Sequence, residues 1–192
     1  MSEKHITILN TAMKLFAAYG YHAVGIDRII AESGVAKMTM YKYFPTKTSL
    51  ILDVLKERDR RFRDSLFAFA DGFEPPTEKL QAVFTWHDRW LNEPSFNGCM
   101  FINAAAEYPD IHDEVHRIAI AHKQAIQDYL QAIVAKPLKK LRAQQLAAQL
   151  SQLLDGAIVA AQVMGDNNAA LTAWRTASIL LKAEKLEPDS LQ

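Results

Sequence analysis

Residues 20–50 read GYHAVGIDRIIAESGVAKMTMYKYFPTKTSL, and this stretch decides how the N-terminal part of the chain folds. Ile26, Ile29 and Ile30 recur with helical spacing and predict a short helix over about residues 26–33. Ser33-Gly34-Val35 then forms a tight turn, which needs a residue that reaches positive φ, and Gly34 provides it. A second short helix is expected over about residues 37–43, with Pro45 just beyond it as a stop. Ile30 and Val35 bracket the turn as apolar anchors, and Ala31 is small where the two helices are expected to cross. Two short helices joined in this way make a helix-turn-helix, a unit that lays its second helix in the major groove of DNA.

The second helix divides into two faces. Met40 and Phe44 point towards a core, while Lys37, Met38, Thr39, Tyr41 and Lys42 point outwards. Outward Met and Tyr on a short basic helix are ill suited to water but well suited to base edges and sugars. Lys37 has the chemistry to donate to guanine O6 and N7, and Thr39 to reach a base edge or a phosphate. The hydroxyls of Tyr41 and Tyr43 suit phosphate oxygens, which position a protein without reading sequence. Lys47 lies near the start of the next helix, where a cation and unpaired backbone N–H groups together suit a phosphate. A purely structural three-helix module would explain the glycine turn but not the alternation of aromatic and basic residues.

Outside this stretch, apolar residues also recur at helical spacing, and no alternating β-branched run occurs. The first helix is expected over about residues 3–19, burying Ile8, Leu9, Ala12, Leu15, Phe16 and Tyr19 and closing at Gly20. A long fourth helix runs from near Thr46 to about residue 70. The stretch Asp71-Gly72-Phe73-Glu74-Pro75-Pro76 is the clearest linker. Further helices follow over about residues 77–92, 98–107, 111–134, 142–164 and 168–184. The expected fold class is all-α with about nine helices: a three-helix head carrying the helix-turn-helix, then a larger helical bundle. The expected divisions are residues 1–47 for the head, 48–70 for the connecting helix and 77–192 for the second domain.

The formal net charge is zero, yet residues 1–70 hold 11 Lys and Arg against 7 Asp and Glu. A basic head on an acidic body fits a nucleic-acid module joined to a separate second function. The single cysteine, Cys99, excludes an internal disulfide framework and a cysteine-based zinc site. The first residues begin no apolar signal segment, and no apolar run of about 18 residues is apparent, so a cytoplasmic protein is expected.

The residues Gly20-Tyr21, the isoleucines of the second helix, Gly34-Val35 and the run from Thr39 to Lys47 resemble the tetracycline-repressor (TetR) family of transcriptional regulators. The specific match covers about 45 residues. The resemblance implies DNA-contacting roles for Thr39, Tyr41, Tyr43 and Lys47. It also implies a homodimer that binds double-stranded palindromic operator DNA, a repressor released by a small effector, and neither a cofactor nor catalysis. Three positions depart from the family pattern. Gly25 stands where a capping threonine is usual, Ala36 replaces a capping serine, and Met38 replaces a frequent glycine, turning preference towards thymine methyls.

The last two helices are broadly apolar, which suits a second subunit as well as the chain's own core. The resemblance implies that they pair into a four-helix interface, for which the candidates are Leu153, Gly156, Ala157, Ala160 and Ala161, then Trp174, Ala177 and Leu181. The helices before them are expected to enclose a small, largely apolar effector. Candidate lining residues are Phe67, Trp86, Trp90, Met100, Phe101 and Tyr129, with Asn103, Glu107 and His122 as orienting groups.

Weaker signals support two other readings. His112 and His116, four apart on an expected helix near Glu107, suggest a small metal-dependent helical enzyme, although the sequence shows no further convergent ligand. The other reading is a DNA-binding protein without effector control, whose larger part only dimerises.

Overall fold

The computed structural model describes residues 2–186, and among them every regular element is a helix. Nine helices follow in order: α1 (Glu3–Tyr19), α2 (Ile26–Ser33), α3 (Lys37–Tyr43), α4 (Lys47–Ala70), α5 (Pro76–Leu91), α6 (Met100–Glu107), α7 (Glu114–Val134), α8 (Lys140–Met164) and α9 (Ala169–Ala183). They form two compact units. The first draws on the chain up to Phe62 and on Cys99–His122; the second draws on Arg63–Gly98 and on the chain from Lys123 onward.

In the first unit, α1 packs against α2 and α3. Ser2 caps α1, its Oγ accepting the His5 N–H at 3.3 Å. Ile8, Leu9, Ala12, Leu15 and Phe16 are buried as the helical period requires. Tyr19 is not: it is 55% exposed, with the Arg28 guanidinium 4.0 Å above its ring. The stripe rotates out of the core by its last turn, and a cation covers the aromatic face instead. In α2 only Ile29 is fully buried, Ile26 and Ile30 are half-buried, and Ala31 is exposed rather than wedged between helices. The core is completed by Tyr21 and Val24, by Leu50, Ile51, Val54, Leu55 and Phe62 of α4, and by Phe101, Ala104, Val115 and Ala119.

The second unit is built from α5, α8 and α9, which pack on one another. Ala169, Ala170, Ala173 and Ala177 give α9 a smooth buried face, so α5 and α8 can approach it closely. Against it lie Leu80, Val83 and Phe84 of α5 and Leu146, Leu150 and Leu154 of α8. The end of α8 is apolar in composition, although polar residues interrupt every run. Between Ala147 and Met164 the one charged residue is Asp155. The helix is long and apolar enough to cross a membrane, with 33% of its most apolar stretch buried. Glutamines and a serine scattered through α8 disguise that apolarity in the sequence.

A correction concerns α7, which starts at Glu114 rather than near residue 111. The Asp110 carboxylate accepts the His112 N–H at 2.9 Å, and the Asp113 carboxylate accepts the Val115 N–H at 2.7 Å. These local bonds hold the chain in a turn ahead of the helix. His112 therefore lies outside α7 and shares no helical face with His116, whose Nδ1 meets the Tyr108 carbonyl at 2.6 Å.

An ion cluster ties α4 to α1. Glu57 accepts from Arg60 at 2.9 Å and from Arg61 at 2.6 Å, and Arg61 donates onward to Asn10 at 2.8 Å. The Arg60 hydrogen bond leads in holding the Glu57 carboxyl down at about 2, against an ordinary value of 4.5. A carboxyl depressed in the folded state stabilises above its unfolded value, and that contribution is lost as pH falls through the folded one. Glu57→Gln is expected to lower stability at neutral pH, with the difference from the parent shrinking between pH 4.5 and about 2. Urea unfolding midpoints across that range check it.

Candidate nucleic-acid interface

The geometry of α3 begins at Gly34. Its φ of 67° is left-handed, and its N–H bonds the Ile30 carbonyl at 3.1 Å, closing α2. The chain re-enters helix at Lys37 without a side-chain cap, because Ala36 at the N-cap offers none. Met40 and Phe44 are buried at 0% and 1% exposure, so this short helix is anchored on one side. Truncating either to alanine is a loss of about 2–5 kcal/mol in a well-packed core.

The other side of α3 faces solvent. Met38 is 84% exposed and Tyr41 43%, with Lys37 and Lys42 exposed and Thr39 and Tyr43 half-buried. An unbranched thioether this exposed contributes nothing to the fold, and beside two lysines and a phenol it forms a surface able to meet bases and phosphates. Lys37 Nζ stands 3.6 Å from Asp27, a loose pair between two largely exposed side chains. Tyr43 is held from α1: its hydroxyl accepts from Ser2 Oγ at 2.6 Å, and its ring meets His5 edge-on at 5.4 Å.

Lys47 is placed differently from a free surface lysine. Its Nζ donates to the His22 carbonyl at 3.1 Å, and burial pulls its pKa below the ordinary lysine value. The first turn of α4 is closed by a reciprocal pair in which Thr46 Oγ1 accepts the Ser49 N–H at 3.0 Å and Ser49 Oγ accepts the Thr46 N–H at 3.2 Å. The supports from Ser2, His5 and Asp27 were not recognised in the sequence. The Thr-x-x-Ser spacing is the one that carried a readable signal.

The nine candidate effector residues divide between the units. In the first, Met100, Phe101 and His122 are buried, while Asn103 and Glu107 are half-buried. Phe101 stacks on the His122 imidazole at 3.7 Å, and His122 Nδ1 pairs with Asp59 at 2.8 Å. Glu107 faces the α1–α2 turn. In the second unit, Phe67 stacks on Tyr129 at 3.9 Å, and the Tyr129 hydroxyl donates to Asp71 at 2.8 Å. Burial, and then Asp71, raise the Tyr129 pKa. Trp86 Nε1 donates to Ser65 at 3.1 Å, and its ring lies 6.0 Å from that of Trp90. A surface groove of about 390 Å³ lies nearby in sequence, lined by Phe69, Phe73, Glu78, Gln81, Ala82, Thr85 and Arg89, and contains none of the nine.

Of the candidate pairing residues, Ala157, Ala177 and Leu181 are buried within the second unit. Leu153, Ala160, Ala161 and Trp174 are half-buried, and Gly156 is exposed. Outward apolar residues on these helices include Val159, Val163 and Met164 on α8, and Leu171 and Ile179 on α9, with Val163 74% exposed and Ile179 67%. Among the described residues, no group of three or more His, Cys, Asp and Glu is arranged to hold a metal.

Two family patterns match this chain: "Bacterial regulatory proteins, tetR family" over residues 8–54, and "Tetracyclin repressor-like, C-terminal domain" over residues 76–177. A TetR-family transcriptional regulator from Streptomyces coelicolor is 34% identical, with a TM-score of 0.88 over 95% of this chain and 96% of that one. A TetR-type regulator from Streptomyces avermitilis is 26% identical, with a TM-score of 0.85 over 97% and 100% of the two chains. The uncharacterized HTH-type transcriptional regulator YuxN of Bacillus subtilis is 28% identical over 81% of this chain, which spans 53% of YuxN's length.

The empty cap at Ala36 yields a test. Ala36 has φ −66° and ψ 143°, an N-cap geometry that serine adopts readily. Ala36→Ser is expected to stabilise the chain by about 1 kcal/mol. Thermal unfolding reads this as a rise in Tm of roughly 2–4 °C.

Proposed function

The chain belongs to the tetR family of bacterial regulatory proteins, and from that premise we propose that it is a repressor that releases a palindromic operator when a small, largely apolar effector binds its C-terminal part. As a member of that family it is a DNA-binding transcriptional regulator and not an enzyme. The observation that carries the proposal furthest is the outward face of α3, where Lys37, Met38, Tyr41 and Lys42 are exposed on a helix anchored by Met40 and Phe44. Lys37 and Met38 are assigned to base edges. Thr39, Tyr41, Lys42 and Tyr43 are assigned to base edges or phosphates, and Lys47 to phosphate at the start of α4.

The proposed functional divisions are residues 1–47 for DNA binding, 48–70 for connection and 77–192 for effector binding and dimerisation. Pairing is assigned to the outward faces of α8 and α9. Gly156, Val159 and Val163 recur at helical spacing along α8, and Ile179 projects from α9. Gly156 has open space where a Cβ would stand, leaving room for a close-packed partner helix. The same pairing accounts for the apolarity of α8 without a membrane, in keeping with a cytoplasmic protein. A two-fold dimer presents two copies of α3 to a two-fold DNA site.

Effector binding is assigned to the aromatic residues of the C-terminal part, among which Phe67, Trp86, Trp90 and Tyr129 lie within one compact unit. A ligand drives release only by binding the released state more tightly than the DNA-bound one.

The direct test is fluorescence anisotropy on the DNA upstream of the chain's own gene, across rising salt. Specific, salt-sensitive binding is expected, with Tyr43→Ala weakening it by about tenfold through loss of a positioning contact. No binding to that DNA or to a random-sequence library by the unaltered chain would overturn the proposal.

A further inference from the structure

The carboxylate that ends α6 is spent on the turn between α1 and α2. Glu107 Oε1 accepts the Tyr21 N–H at 2.8 Å, and Oε2 accepts the His22 N–H at 2.6 Å and meets His22 Nδ1 at 2.9 Å. Burial works against the ionised carboxylate, but the bonds from His22 and Tyr21 together hold its pKa below the ordinary glutamate value. The turn is shaped to receive it. Gly20 has φ 83°, and a Cβ there would stand 2.7 Å from Glu107 Oε1, so a side chain at this position would push the carboxylate off this approach.

Three further contacts extend the clamp. The Tyr21 ring is fully buried and its hydroxyl donates to the Met100 carbonyl at 2.9 Å, at the opposite end of α6. His22 stacks on Tyr108 at 4.7 Å. The His22 carbonyl accepts from Lys47, so one residue joins α6 to the first turn of α4.

We propose that Glu107 is a positioning residue for DNA binding: its carboxylate fixes the turn at residues 20–22 to the C-terminal end of α6, and through His22 it sets the place of Lys47 and of α2. Glutamine replaces the carboxylate only in part, because its Oε1 can accept one of the two backbone N–H groups while its NH2 faces the other. The assignment rests on the reading of α3 as the DNA-contacting helix.

The test uses the full chain as Glu107→Gln and His22→Ala, with hydrogen exchange resolved over residues 20–47 and anisotropy on a DNA selected by the parent. Charge-assisted hydrogen bonds of this kind correspond to a tenfold effect or more. In Glu107→Gln, faster exchange at Tyr21 and His22 is expected, with operator affinity at least tenfold lower. His22→Ala keeps both backbone bonds, so a loss of about threefold is expected, and it serves as the readout should Glu107→Gln not fold. Parental exchange at residues 20–22, or faster exchange there with parental affinity, would overturn the proposal. Altered exchange in the variant, combined with no DNA binding by the parent, would instead overturn the reading of α3.

Discussion

At Gly34 the backbone enters the left-handed region, returns its N–H to the Ile30 carbonyl and leaves α2 in a direction that any side chain would resist. That single turn sets the rotation of α3 about its own axis. With Met40 and Phe44 both buried, the helical period leaves Lys37, Met38, Tyr41 and Lys42 on the outside. A residue with a Cβ at position 34 would strain the turn by about 1–2 kcal/mol, although open space surrounds it. The chemistry of the outward face has value only because the turn delivers it repeatedly in one orientation.

Charge and packing divide the work around that turn. α3 has no side-chain cap, so its stability comes from the two buried anchors rather than from its own ends. Tyr43 is oriented by Ser2 and His5 from α1, and Lys47 by the carbonyl of His22. The side chains assigned to phosphate are thus held by the protein before DNA arrives, which reduces the entropy lost on binding. In the second unit the pattern is reversed. Alanines on α9 allow close packing with α5 and α8, and larger apolar residues such as Val163 and Ile179 are left outside. Apolar surface of that kind is what a subunit contact consumes.

The fold was legible in the sequence to within a few residues because the punctuation is strong. Gly34 and Pro45 bound α3, the 71–76 stretch separates α4 from α5, and Gly165 closes α8. Where punctuation came from side chains bonding their own backbone, the sequence reading slipped. Asp110 and Asp113 delay α7, which removes His112 from the helix. Tyr19 fits the buried period of α1 but lies under a guanidinium at the surface, a choice that depends on Arg28 from another helix. The outward face of α3 could be read from its anchors. The clamp at Glu107 could not, because Glu107 and Tyr21 lie 86 residues apart and only the folded chain brings a carboxylate to those two backbone N–H groups.

The central claim is that α3 reads DNA and does so twice, once from each subunit. Hydroxyl-radical footprinting on a DNA selected by the chain from a random-sequence library tests it most directly. Two symmetric protected windows are expected, centred about one helical turn or a multiple apart. A single window, or protection without any enriched sequence, would contradict it.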